Sequence, residues 1–146
     1  MNVLIDDQCL SLILRGESIE EVQGHRVHTT GHWYYRLCQA YFRSASMGAL
    51  SRPFESLSGE ERVQAEYRLL ALPDEIGLIS MREIAPSMAR LVDSHPHLNL
   101  LAREVVAAAV VLDARVILNV GSPALQTALA AESREFHILN RTIGAN

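Results

Sequence analysis

Several residues that could do chemistry fall at or near junctions between apolar segments of this chain. The first such place is "NVLIDDQCLSLILRG", where Val3, Leu4 and Ile5 run straight into Asp6 and Asp7. A carboxylate at such a junction can cap the helix that follows, or it can ligate a hard cation such as Mg²⁺ or Mn²⁺. One capping aspartate is routine. A second has no capping duty, so the pair keeps both readings open. Glu104 is a lone acid inside "LNLLAREVVAAAVVLD", a helix that looks buried and therefore demands a specific partner for it. "TTGHWYYRL" supplies Thr30 as a cap, Arg36, and an aromatic cluster able to stack bases or to fill a core. "NVGSPAL" supplies Asn119 and Ser122, the latter ahead of Pro123 at a helix start whose free N–H groups can cap or hold an anion.

Other features carry less. "HPH" (His95 to His97) sits in a turn with no third ligand nearby. Cys9 and Cys38 lie in apolar helical patterns without CxxC spacing, as buried reduced thiols of a cytoplasmic protein would. There is no GxGxxG, Walker loop or nucleophile elbow, so no motif backs a small-molecule enzyme. A formal charge of −4 excludes broad electrostatic attraction to nucleic acid and leaves room only for a local basic groove. All 13 basic side chains are arginine. Codon bias in a GC-rich genome accounts for that, and a demand for planar, bidentate guanidinium groups at a few positions can lie beneath it.

The elements that must position these residues are legible from periodicity. Val3 to Ile5 suit a buried strand, followed by a short helix stopped at Gly16. "HRVHTT" (25–30) reads as a second strand, and Trp33, Leu37, Ala40 and Tyr41 mark a helix running to about Ala45. "MGALSRPFESL" reads as a loop. Ser58 and Glu61 form a capping-box pattern for a helix ending near Leu72, and "LPDEIG" breaks the chain again. Ser80 and Glu83 repeat that pattern, yet Pro86 falls deep inside, so this helix either kinks or begins at Pro86. It runs to about Asp93. A helix capped by Asn99, the strand "ARVILNV", the helix after Ser122 and a last strand "EFHIL" complete the chain.

Strands alternating with helices imply an α/β fold, with a mainly parallel central sheet of four to five strands covered on both faces. Length and the absence of linkers or repeats give a single domain over residues 1–146. The longest apolar run, Val105 to Leu112, is too short to span a bilayer, and no export signal is expected at the start. In open parallel sheets, ligands bind beyond the carboxyl ends of the strands. Asp6, Asp7, Thr30, Glu104, Asn119 and Ser122 all belong near that edge, and an acidic cluster there would suit a divalent metal that activates water against a phosphodiester.

On "NVLIDDQCLSLIL", "TTGHWYYRL" and "REVVAAAVVLDARVILNVGSPALQTAL", the chain resembles the PIN-domain family over nearly its whole length. These are small ribonucleases, many of them toxins of bacterial toxin–antitoxin pairs. The resemblance implies a three-layer α/β/α PIN-like fold, a homodimer, an antitoxin or other protein partner, RNA as substrate, and no membrane. It also implies four acidic positions binding Mg²⁺ or Mn²⁺. Asp6 matches the first, with Asp7 in the neighbouring polar position. The second falls at or beside Arg36, the third near Glu104 about two residues out of register, and the fourth near Val120 beside Asn119. Catalysis would thus rest on Asp6 and Glu104, the metal on Asp6, Asp7 and Glu104, and contacts with RNA on Arg36, Thr30, Asn119 and Ser122. A guanidinium in place of a carboxylate changes the local charge by about two units, each interaction being worth roughly 4 kcal/mol at 4 Å and an effective dielectric near 20. The expected arrangement is Arg36 paired with Asp6 where a metal would sit, Asp7 capping the helix, and metal held weakly or not at all. Two functions follow from this pattern. One is a PIN-like domain with a degraded site that binds RNA or protein in a regulatory role; the other is an active Mg²⁺- or Mn²⁺-dependent endoribonuclease, the toxin of a toxin–antitoxin pair.

Overall fold

The computed structural model describes residues 1–43 and 50–142. Five parallel strands form one sheet in the order β3-β2-β1-β4-β5, with β1 (Asn2–Ile5) at its centre. β2 (Arg26–Thr29) lies on one side of β1 and β4 (Arg115–Leu118) on the other, pairing Leu4 with His28 and with Val116. β3 (Ile76–Leu78) and β5 (Phe136–Ile138) are the edges. Because side chains alternate along a strand, Val3, Ile5 and Ile117 face one layer of helices while Leu4, Val116 and Leu118 face the other. Both faces are buried. That explains why these strands read as continuous apolar runs.

The first layer holds α1 (Asp7–Leu14), α2 (Gly31–Phe42), α3 (Arg52–Glu55) and α4 (Gly59–Leu70), packed through Leu10, Leu37, Phe54 and Leu69. The second holds α5 (Met81–Ser94), α6 (Leu100–Val111) and α7 (Pro123–Ala131), packed through Leu91, Val105 and Leu129. The three-layer α/β/α architecture expected from the sequence is the one observed. No helix among the described residues is long and apolar enough to cross a membrane.

Local differences have local causes. The "LPDEIG" segment read as a break runs into β3, only three residues long, which acquires its strand geometry by pairing with β2 rather than from its own composition. Arg52–Glu55, read as loop, forms one helical turn with Pro53 near its start. Ser58 precedes α4 without a side-chain capping bond, whereas the Ser80–Glu83 box forms in full. α5 therefore starts at Met81 and carries Pro86 in its interior, forgoing the bond its nitrogen would have donated to the Arg82 carbonyl. The expected end of the second helix at Ala45 and the residues of the "MGALS" loop up to Ala49 lie outside the described residues.

Candidate functional site

Between β1 and β4 the chain's winding reverses direction, β1 connecting onward to β2 on one side and β4 joining on the other. A cleft opens at the carboxyl end of such a switch point. Here it is a cavity of about 270 Å³ whose walls include Asp6, Asp7, Gln8, Trp33, Arg36 and Ser122. Strand β1 delivers the two aspartates, α2 delivers Trp33 and Arg36 one turn apart, and the turn after β4 delivers Ser122.

Asp6 and Asp7 exchange the roles the sequence suggested. Asp6, in extended conformation at φ −78° and ψ 176°, is the N-cap of α1. Its Oδ1 accepts from the Cys9 amide at 2.7 Å and its Oδ2 from the Asn119 amide at 2.7 Å, so it ties the end of β1 to the end of β4. Burial raises its pKa, and those backbone amides pull against that rise. Asp7, in the first turn of α1, is the residue that faces the cation: Arg36 Nε lies 3.4 Å from its Oδ2. The expected Arg36–Asp6 pair is thus an Arg36–Asp7 pair, because Asp6 is turned toward the amides. Asp7 is also buried, which pushes its pKa up to about 6, against the lowering effect of Arg36 and with the added repulsion of Asp6. Its Oδ2 accepts no hydrogen bond.

Glu104 is elsewhere. It projects from α6 with almost no exposure and spends both oxygens on one residue, taking the His32 amide at 3.1 Å on Oε1 and the His32 ring Nδ1 on Oε2. It lines a separate, shallower depression with Tyr35 and Met81. Thr30 is fully buried and its hydroxyl accepts from the Trp33 amide, so it caps α2 and does not line the cavity. Asn119 is likewise buried. Its side-chain amide donates to Gln8 Oε1 at 2.7 Å and to the Arg141 carbonyl at 3.0 Å, while its carbonyl oxygen accepts from the Arg141 amide at 2.9 Å. It clamps the segment after β5 against the sheet edge. Ser122 reaches the cavity and makes no capping bond with α7. "HWYY" divides: Trp33 is buried in the core and at the cavity wall, and Tyr35 is exposed.

Two contributors were missed by sequence reasoning. Gln8 lines the cavity and holds Asn119, and His32 is the partner that Glu104 required. The demand for a partner was readable at Glu104. Its identity was not, because His32 lies 72 positions away in the chain.

Mg²⁺ and Mn²⁺ need several oxygen ligands converging on one point. Asp6 is held by two backbone amides, Glu104 turns to His32 in a different depression, and Asn119 is taken by Gln8 and Arg141, which leaves Asp7 Oδ2 beside a guanidinium. As placed, these side chains do not fit a divalent cation, and among the described residues no group of three or more His, Cys, Asp and Glu is positioned to hold a metal. No protein-family model matches the chain, and no curated protein matches it. The class of the protein is therefore given by its own architecture: a doubly wound, all-parallel α/β/α domain with a polar cavity at the switch point.

Proposed function

We propose that this chain is a PIN-like domain whose acidic metal site has given way to an ion pair, and that it binds RNA without cutting it efficiently. The observation that carries the reading is Arg36 facing buried Asp7 at 3.4 Å in the switch-point cavity. That guanidinium supplies at the site the positive charge which the resembled family obtains from a metal, and it attracts phosphate directly. The succession of elements supports the same reading: an aspartate after the first strand, the arginine in the second helix, an acid in the late buried helix, and a polar residue after the next strand. The domain would act in the cytoplasm, where Cys9 and Cys38, both free, stay reduced.

One observation favours a second reading, an active Mg²⁺- or Mn²⁺-dependent ribonuclease with an antitoxin partner and a homodimeric state. Asp7 Oδ2 is a buried carboxylate oxygen without a hydrogen bond, and such an atom is a candidate ligand. Incubating the purified protein with assorted RNAs and Mn²⁺, beside an Asp6→Asn control, separates the two. Retardation of RNA on a gel without cleavage supports the binding domain. Cleavage abolished by Asp6→Asn establishes the nuclease instead.

A further inference from the structure

We propose that His32, aimed by the buried carboxylate of Glu104, is a general base that cuts bound RNA slowly through the strand's own 2′-hydroxyl. This rests on the RNA-binding reading and adds a chemistry to it, in the depression beside the switch-point cavity. Glu104 is 1% exposed and comes from α6, while His32 is the second residue of α2. The carboxylate holds His32 at two points, its backbone amide and its ring Nδ1. An ionised carboxylate only accepts hydrogen bonds, so Nδ1 carries the ring proton, and the neutral ring keeps its lone pair at Nε2.

That nitrogen is within reach of a ligand. The two ring nitrogens point in different directions, so with Nδ1 turned to the buried acid Nε2 turns away from it. The His32 side chain is 39% exposed and lines the shallow depression with Tyr35 and Met81. Nε2 has no hydrogen-bond partner among the described residues. A base held by a third group with its second nitrogen free is the arrangement that activates a hydroxyl.

The neighbours on α2 suit an RNA strand. Tyr35 and Arg36 follow His32 at helical spacings of three and four, so the three share one face. Tyr35 is exposed and can stack a base. Arg36 turns Nε to Asp7, while its half-exposed side chain keeps terminal N–H groups for a phosphate. RNA supplies its own nucleophile. Nε2 takes the proton of a ribose 2′-hydroxyl, the 2′-oxygen bonds to the adjacent phosphorus, and the bond from phosphorus to the 5′-oxygen of the next nucleotide breaks. Water gives that oxygen a proton, and the imidazolium returns its own to the hydroxide left behind. The products are a 2′,3′-cyclic phosphate and a 5′-hydroxyl.

The test incubates excess protein in EDTA with end-labelled single-stranded RNA, beside the same sequence as DNA. The expected result is slow cleavage of the RNA to fragments ending in 2′,3′-cyclic phosphate, with the DNA intact. His32→Asn keeps a donor to Glu104 where Nδ1 stood and loses Nε2, so it should lower the rate at least about 100-fold while RNA is still retarded on a gel. Glu104→Gln turns an amide donor toward Nδ1 and drives the ring proton to Nε2. The rate should fall as far, and nitrogen NMR of the His32 ring should show the tautomer exchanged, a change that a merely structural Glu104 would not couple to the rate. Circular dichroism establishes that each variant is folded, and His32→Asn carries the test if Glu104→Gln is not. Cleavage that survives His32→Asn, cleavage in Mn²⁺ but not in EDTA, or a wild-type ring proton on Nε2 overturns the role of the pair. RNA retarded but left whole removes this inference and leaves the RNA-binding reading standing. RNA neither retarded nor cut removes both.

Discussion

Two buried carboxylates, Asp7 on α1 and Glu104 on α6, stand in opposite helix layers of this sheet and have opposite surroundings. Glu104 is complete: its oxygens meet the backbone and the ring of His32, and its position locks the start of α2 to α6. Asp7 is incomplete: it belongs to the wall of the cavity, and its buried Oδ2 has an arginine at ion-pair distance and no hydrogen bond. A saturated buried acid works as a structural joint. An unsaturated one, held with its charge only partly answered, is where a ligand gains the most by arriving.

The sharpest way to break this comparison is to remove Glu104. Glu104→Ala leaves the His32 amide without its acceptor and empties a buried position, while the partly exposed His32 ring can turn to water, and should cost about 3 kcal/mol in urea unfolding. A loss comparable with a surface substitution would make Glu104 as dispensable as a site acid.

Asp7 should do the reverse. Its pKa in the fold is about 6 against an ordinary 3.8, so between those values the folded protein holds a proton that the unfolded chain has released. Asp7 therefore favours the fold at low pH, and this contribution is lost as pH rises from about 4 through 6. The difference amounts to roughly 3 kcal/mol. Asp7→Asn should accordingly be more stable than the wild type at pH 7 and nearly equal to it at pH 4. Comparing the two proteins at each pH cancels His28, whose pKa is lowered by burial and which acts in the opposite sense. A stability difference that does not vary with pH would show that Asp7 is not held in this way.

Smaller effects follow at the neighbours. Asp6→Ala removes the cap of α1 and orphans the Asn119 amide, while relieving the burial of a charge, and should destabilise by about 2 kcal/mol in the same assay. Arg36→Gln should change stability by less than about 1 kcal/mol, since the arginine is half exposed. Its clearer signature is an Asp7 carboxyl that titrates at higher pH when followed by NMR.

Much of the fold was legible because periodicity records burial. The apolar runs around Leu4 and Val116 announced strands covered on both faces, and Asn99 and Thr30 announced helix starts that the structure reproduces, while at Ser80 and Pro86 the sequence left two starts open and the full capping box decides for Met81. β3 was not legible, since three residues next to a proline-containing turn become a strand only through β2. At the site, residue types marked the right neighbourhood: Asp6, Asp7, Arg36 and Ser122 do line one cavity. The division of labour between the aspartates was hidden, because it is set by the backbone angles of Asp6 and by an amide 113 positions away. Thr30 and Asn119 carried polar labels that fitted a site equally well, yet local capping and the clamp on Arg141 consume them.

The proposed exchange of a metal for the Arg36 guanidinium has a direct consequence for cation binding at this switch point. Titrating isotope-labelled protein with Mg²⁺ under NMR tests it most directly, through the amides of Asp6, Asp7, Gln8 and Glu104. With Arg36 in the metal's place, those amides should show no saturable shift across the millimolar range. Saturable shifts centred on Asp6, Asp7 and Glu104 would show that the carboxylates rearrange around a cation and would contradict it.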